Sequence, residues 1–167
     1  MKTGDATARR AWQDRAKEIP SHQGPDAQSV DPDLDVITSA VKVPQTLSHM
    51  HYWNVKLKKE TSKEEVLNAL KTSSRIKFIH YDQGLVSNNT IKEMFLDMGR
   101  PWGDMYEVAL WEDMLKVVGD ELFYAYVVDN QAIVIPETID AIRALTGIEM
   151  DGNKSIAKNN KSLGINQ

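Results

Sequence analysis

No cysteine occurs anywhere in this 167-residue sequence. That excludes disulfides, thiolate zinc ligands and a cysteine nucleophile among these residues. Glycine is sparse, nine in all. Gly24, Gly84 and Gly99 are too isolated to form the strand-following, glycine-rich loop that cradles a pyrophosphate. No apolar run approaches the ~18 residues of a membrane span, and no signal-peptide pattern opens the sequence. No membrane role and cytoplasmic residence are therefore the expectation. Neither sign of charge dominates: the formal net charge is -4. The lysines are scattered apart from Lys56, Lys58 and Lys59, so no nucleic-acid surface is expected.

What remains is an ordinary globular composition, 41% hydrophobic and 26% charged, in a length that suits one domain with a real core. There is no internal repeat or low-complexity segment. Residues 1–33 are polar, with a short strand expected over Ala6–Ala11 and a loop over Glu18–Asp26 from its proline and glycine content. The β-branched residues Val36, Ile37, Thr38, Val41 and Val43 predict a strand over Leu34–Val43, ended by Pro44. Trp53, Val55 and Leu57 alternate with Asn54, Lys56 and Lys58, which predicts a half-buried strand.

Thr61-Ser-Lys-Glu64 reads as a capping box opening a helix whose inner face carries Val66, Leu67 and Leu70. A strand at Ile76–Tyr81 follows. A second helix begins near Asn88 or Asn89, repeats Ile91, Met94, Phe95 and Met98 at helical spacing, and stops at Gly99. Arg100–Asp104 reads as a loop. Strands are expected at Tyr106–Trp111, Met114–Val118 and Leu122–Val128, the last two joined by a hairpin at Gly119-Asp120. Pro136 and Glu137 begin a helix with Ile139, Ile142 and Leu145, closed by Gly147. A polar helix or tail runs from Asn153. This order predicts an α+β fold, a mixed and largely antiparallel sheet with helices on one face, with residues 8–167 forming a single domain behind a tail at 1–7.

Few residues carry chemistry on their own. His49 and His51 are two apart, so an extended chain points both to one side, with Cα atoms ~6.6 Å apart. Three readings stay open: a metal pair, a general acid–base histidine oriented by its neighbour, and two ordinary polar residues at a strand end. The metal reading lacks a third ligand, and no metal is expected. Arg9 and Arg10 suit phosphate by their planar forks but point to opposite faces of a strand. Ser21-His22-Gln23-Gly24 offers donors to an anion. Asp104, Glu107 and Glu112 offer catalytic carboxylates, with solvated or salt-bridged roles the expectation, and Trp102 and Trp111 are expected as packing or interface residues rather than ligand stackers.

Taken in order, the segments Arg9-Arg10-Ala11, Pro20-Ser-His-Gln-Gly-Pro-Asp26, Asp33-Leu-Asp-Val-Ile-Thr38 and Val43-Pro-Gln-Thr-Leu-Ser-His-Met-His51 form a pattern. It continues through Gly99-Arg-Pro-Trp-Gly-Asp-Met-Tyr-Glu107, Val108–Asp113, Val134-Ile-Pro-Glu-Thr-Ile-Asp-Ala-Ile-Arg143 and Ser162-Leu-Gly-Ile165. The pattern resembles the catalytic domain of archaeal-type phosphorylating glyceraldehyde-3-phosphate dehydrogenase, from Ala8 onward.

The resemblance implies an α+β domain whose sheet packs face to face in a tetramer. It implies a reaction in which a cysteine attacks the aldehyde, a histidine handles the proton, hydride passes to NAD(P), and phosphate cleaves the thioester. By position it makes His49 the general base and acid, and it places Arg9, Arg10 and His22 at phosphate-binding sites for glyceraldehyde 3-phosphate or inorganic phosphate. Asn130 becomes the residue facing the cofactor.

Three departures accompany it. The family's cysteine and its nucleotide-binding Rossmann domain lie before Arg9 and are not in this sequence, and the loop between residues 11 and 20 is shortened. A second histidine of the Pro-Ser-His segment is Gln23, and the family's His-Gln-Glu-Ser is here Asp129-Asn-Gln-Ala132. The expectation is a chain inactive alone, which needs a separate Rossmann-domain chain or persists as a self-associating module with a residual anion site.

Overall fold

The computed structural model describes residues 15–16, 21–43 and 48–165. The chain divides into two compact units, Met1–Thr46 and Leu47–Gln167. The strand expected at Ala6–Ala11 and the turn at Pro44 lie outside the described residues.

In the first unit a two-residue strand, β1 (Arg15–Ala16), pairs antiparallel with β2 (Val41–Lys42). Between them runs helix α1 (Gln23–Val30), where the proline and glycine content predicted a loop. The helix tolerates Pro25 because that residue sits in the first turn, where a backbone N–H has no intrahelical partner to lose. Gly24 is buried at its start, and its N–H donates to Thr38 Oγ1 at 3.1 Å. A Cβ there would stand 3.1 Å from the same oxygen, so a larger residue would require the Thr38 side chain to give by a few tenths of an ångström. The predicted strand at Leu34–Val43 shrinks to Val41–Lys42: its other β-branched residues find no neighbouring strand, and Ile37 is exposed.

The second unit holds a five-stranded sheet. Its order is β3 (Ser48–Lys56), β7 (Glu121–Asp129), β5 (Val108–Trp111) and β4 (Ile76–Ile79), with β6 (Lys116–Val118) also paired to β7. Only β4 and β5 run parallel, so the sheet is mixed and largely antiparallel, as predicted. Nine consecutive residue pairs join β3 to β7. The hairpin turns on Gly119-Asp120, where Gly119 takes φ +62°, the left-handed conformation a two-residue hairpin loop demands.

Sheet faces follow from the two-residue period of strands. On one face Ala109, Trp111, Ala125, Val127 and Ile79 pack with Ile91 and Phe95 of helix α3 (Asn88–Asp97). Ser87 caps this helix by accepting from Thr90 N, and Ile91 and Phe95, four apart, supply its buried stripe. On the other face Leu110, Leu122, Val55, Phe78, Tyr124 and Tyr126 cluster with Leu67 of helix α2 (Lys63–Leu70). Helices α2 and α3 thus cover opposite faces of the sheet. Its capping box is Ser62 with Glu65, one residue later than expected; Thr61 instead adds a hydroxyl bond to the same Glu65 carboxylate.

Helices α4 (Val134–Thr146) and α5 (Gly152–Leu163) pack as a pair. Pro101–Gly103 and Glu112–Met114 form tight 3-10 turns, so the strand expected from Met114 starts at Lys116. No described helix is long and apolar enough to cross a membrane.

Candidate active site

The β3–β7 register sets His49 opposite Val128, His51 opposite Tyr126 and Trp53 opposite Tyr124, all on the α2-side face. Strand β3 carries this row because its odd-numbered residues share one face, as the alternation of the sequence implied. The two imidazole centroids lie 6.0 Å apart, and His51 stacks on the Tyr126 ring at 4.8 Å. Trp53 and Tyr124 stack in the next row at 6.4 Å. His49 is exposed and His51 half-buried. Burial, and secondarily the neighbouring His49, pushes the His51 pKa below its ordinary 6.5. Burial raises the Tyr126 hydroxyl and lifts Tyr124 to about 12. At neutral pH the patch is therefore uncharged around His51, with one accessible imidazole at its end. That arrangement suits proton transfer by His49: solvent or substrate reaches it, and its strand is held along its whole length.

The same end of the sheet carries Asn130, exposed in the turn that follows β7. Its position is fixed by Asp129. One Asp129 carboxylate oxygen accepts from Gln131 N at 2.8 Å and Ala132 N at 3.0 Å, and the other meets Lys92 Nζ at 2.6 Å. Asp129 is buried, and Lys92 reaches it from α3. Asn88, also on α3, donates from Nδ2 to Ser48 Oγ at 3.3 Å, tying the start of β3 to the same helix. Sequence reading singled out Asn130 but not Lys92. The two partners are 37 residues apart, and no local pattern links them.

His22 caps the start of α1 in the first unit and is exposed, without a side-chain capping bond. Its neighbours are engaged locally: Ser21 Oγ bonds Gln23 and, at 2.9 Å, Thr38 Oγ1. Arg9 and Arg10 lie outside the described residues. Within the second unit, then, the register brings His49, His51 and Asn130 to one end of the sheet. Among the described residues no group of three or more histidine, aspartate or glutamate side chains could hold a metal ion.

The other carboxylates of the sequence reading are structural. Glu107 is buried and takes both guanidinium nitrogens of Arg100, each at 2.6 Å. Arg100 also donates to the carbonyls of Asp104 and Gly164 and lies over the Phe95 and Tyr106 rings. Asp104 accepts from the Tyr106 hydroxyl. Glu112 and Asp113 each approach a nitrogen of His80 at 3.9 Å. Trp111 is core, its Nε1 donating to the Leu85 carbonyl. Trp102 is exposed and holds φ +58°, a left-handed conformation rare for a bulky residue.

Comparison with known proteins adds lineage to this geometry. The family described as the C-terminal domain of glyceraldehyde 3-phosphate dehydrogenase matches residues 2–114. Glyceraldehyde-3-phosphate dehydrogenase 2 of Methanosarcina barkeri is 42% identical over 148 residues, covering 89% of this chain and 43% of its own length. Glyceraldehyde-3-phosphate dehydrogenase of Methanobrevibacter smithii is 42% identical over the same share of this chain and 44% of its own. That of Methanopyrus kandleri is 41% identical over 147 residues, 88% of this chain and 42% of its own length. The chain spans less than half the length of the curated relatives it matches.

Proposed function

Because the chain belongs to the C-terminal domain family of glyceraldehyde 3-phosphate dehydrogenase, we propose that it supplies the catalytic-domain half of such a site. The reaction would be the NAD(P)-dependent oxidative phosphorylation of glyceraldehyde 3-phosphate. The observation that carries this reading is His49: an accessible imidazole fixed on a nine-pair ladder beside a half-buried second histidine, in the segment through which the family resemblance runs. His49 takes the thiol proton as the nucleophile attacks and manages the proton of the hydroxyl formed on the aldehyde carbon. Arg9, Arg10 and His22 hold the phosphates of substrate or of the attacking anion. The family match runs across both units, which supports treating 8–167 as one domain.

The sequence has no cysteine, so the thioester forms on a residue outside it, in a longer protein or a separate Rossmann-domain chain. These residues do not by themselves fit NAD(P). They offer the amides of Asn130 and Gln131 at the end of β7 but no glycine-rich loop at a strand end, so on this reading the complementary half holds the dinucleotide. On this reading the lone chain is inactive and works in the cytoplasm. It self-associates through a face of its sheet.

The test is reconstitution. The chain is combined with the cysteine-bearing part of a relative, and NAD(P)H formation is followed with glyceraldehyde 3-phosphate and phosphate. Activity that needs both parts and falls by about 10²–10⁴-fold in His49→Asn supports the role; reduction that ignores His49 rejects it.

A second reading is favoured by Asp129. Where the resemblance expects histidine beside the cofactor, this chain has a carboxylate bound to Lys92 and to its own turn. That change suits a non-catalytic oligomerising module with a residual phosphate site. Sedimentation as a monomer together with no phosphate-dependent rise in melting temperature would reject it.

A further inference from the structure

Two strand ends meet beside the candidate site, and one helix holds both. Ser48 opens β3 and Asp129 closes β7, and the two are register partners at the end of the ladder. His49 follows the first and Asn130 the second along the chain. Asn88 and Lys92, four residues apart and therefore on one side of α3, take one strand end each. Asn88 Nδ2 donates to Ser48 Oγ at 3.3 Å, and Lys92 Nζ donates to the buried Asp129 carboxylate at 2.6 Å. The other Asp129 carboxylate oxygen accepts from Gln131 N and Ala132 N, and the Asp129 carbonyl accepts from Ile133 N at 3.2 Å. The lysine thus also orders the turn that displays Asn130. Its own stem is confined by Gly103, where a Cβ would stand 3.3 Å from Lys92 Cδ and 2.9 Å from the Lys92 carbonyl oxygen.

The terminal pair of a ladder opens most easily, because it has a neighbour on one side only. His49 stands in the next pair, opposite Val128, so any fraying at Ser48 and Asp129 reaches it first. The far end of the ladder is closed separately, by Leu57 N on the Asp120 carbonyl at 2.7 Å and Lys56 on the Asp120 carboxylate at 2.9 Å. Helix α3 covers the sheet face opposite the His49 row, so its side chains act on the imidazole only through the backbone of the two strand ends. We propose that Asn88 and Lys92 are positioning residues for His49 and Asn130: clasping the Ser48–Asp129 pair, they fix the backbone from which both side chains project. This rests on the reading that the chain supplies the catalytic-domain half of a dehydrogenase. A displaced reacting group slows turnover without weakening substrate binding, so the clasp acts on kcat rather than KM. It also gives a physical use to Asp129, where the chain departs from the resemblance: a carboxylate is what the lysine can hold.

The experiment compares Lys92→Met, Lys92→Arg and Asn88→Ala in the full chain, first alone and then reconstituted. In the lone chain, amide hydrogen exchange is followed by nuclear magnetic resonance. Lys92→Met should speed exchange at Gln131 and Ala132 at least about tenfold while Leu57, at the far end of the ladder, keeps its rate. Asn88→Ala should move the His49 imidazole signals and leave Gln131 and Ala132 near their wild-type rates. Lys92→Arg, which keeps a cation, should behave as wild type does. Combined with the cysteine-bearing part of a relative, Lys92→Met should lower kcat about tenfold with KM for glyceraldehyde 3-phosphate unchanged, and Lys92→Arg should restore most of it. Unchanged exchange at Gln131 and Ala132 overturns the proposal. So does equal acceleration at Leu57, the mark of general destabilisation, and so does a wild-type kcat in Lys92→Met. The two readings separate: local acceleration in Lys92→Met with no NAD(P)H formed even by the wild-type pair keeps the clasp and rejects the enzyme, whereas activity indifferent to Lys92 does the reverse.

Discussion

Arg100 and Glu107 meet as a closed fork, each guanidinium nitrogen bonding one carboxylate oxygen at 2.6 Å, with both side chains buried. The pair joins Arg100, three residues past the end of α3, to Glu107, the residue before β5, and a further Arg100 bond to the Gly164 carbonyl ties in the residue after α5. A buried pair of this kind strongly penalises loss of one partner, because the other is left charged in a low-dielectric site. Glu107→Ala should lower unfolding free energy by about 3–5 kcal/mol, read as a fall in urea midpoint at unchanged slope. Replacing both residues with apolar ones should recover most of it.

Lys92 and Asp129 offer a second, less enclosed pair. Lys92→Met leaves Asp129 buried with only its turn amides, at an expected cost of ~1–3 kcal/mol. Asp129→Asn keeps an acceptor for Gln131 N and Ala132 N while removing the charge. The double variant Lys92→Met/Asp129→Asn should lose less than the sum of the single changes, a coupling that a double-mutant cycle measures directly.

His51 sets a pH dependence. Its pKa is lowered in the fold, mainly by burial and then by His49, so the unfolded chain binds the proton more readily. Stability is unaffected well above the ordinary value of 6.5 and declines as pH falls below it toward the lowered folded value. Urea midpoints at pH 7.5 and 5.5 should therefore differ, and His51→Phe should narrow the gap. No narrowing would mean that the decline comes from other groups.

Trp102 is held at φ +58° while its ring stands in solvent. Glycine adopts that conformation freely, and a bulky residue pays about 1 kcal/mol or more. Trp102→Gly should raise the thermal midpoint slightly. A lowered midpoint would indicate that the ring contributes packing which outweighs the backbone strain.

Much of this molecule can be read from local chemistry. The segment Thr61–Glu64 and the spacing of Ile91, Met94 and Phe95 announce α2 and α3, although the caps prove to be Ser62 and Ser87; the alternation after Trp53 marks β3, and Gly119-Asp120 marks the hairpin, because each signal lies within a few residues of what it controls. Other features cannot be seen that way. The periodicity of Ile139, Ile142 and Leu145 predicts α4 correctly but is silent on which side faces the protein; that is decided by Arg75, Asn159 and Ser155, distant in sequence. Helix α1 was missed because Pro25 and Gly24 resemble loop residues until their place in the first turn is known. For the site, position within a collinear pattern singled out His49 and Asn130. The stacking of His51 on Tyr126 and the reach of Lys92 to Asp129 depend on strand and helix neighbours that only the fold supplies.

The β3–β7 ladder also has a consequence in time. Its nine pairs join residues that are 65 to 81 positions apart along the chain, so His49 is carried on a strand whose partner is made much later. At synthesis rates of about 5–20 residues per second the ribosome needs several seconds, at least, between β3 and β7. Throughout that interval β3 lacks its β7 partner, with Tyr52, Trp53 and Val55 available to stray sheet edges. The His49 end of the sheet is therefore among the last parts of the domain to form, and slow or interrupted synthesis should show itself as aggregation before it shows itself as a misplaced histidine.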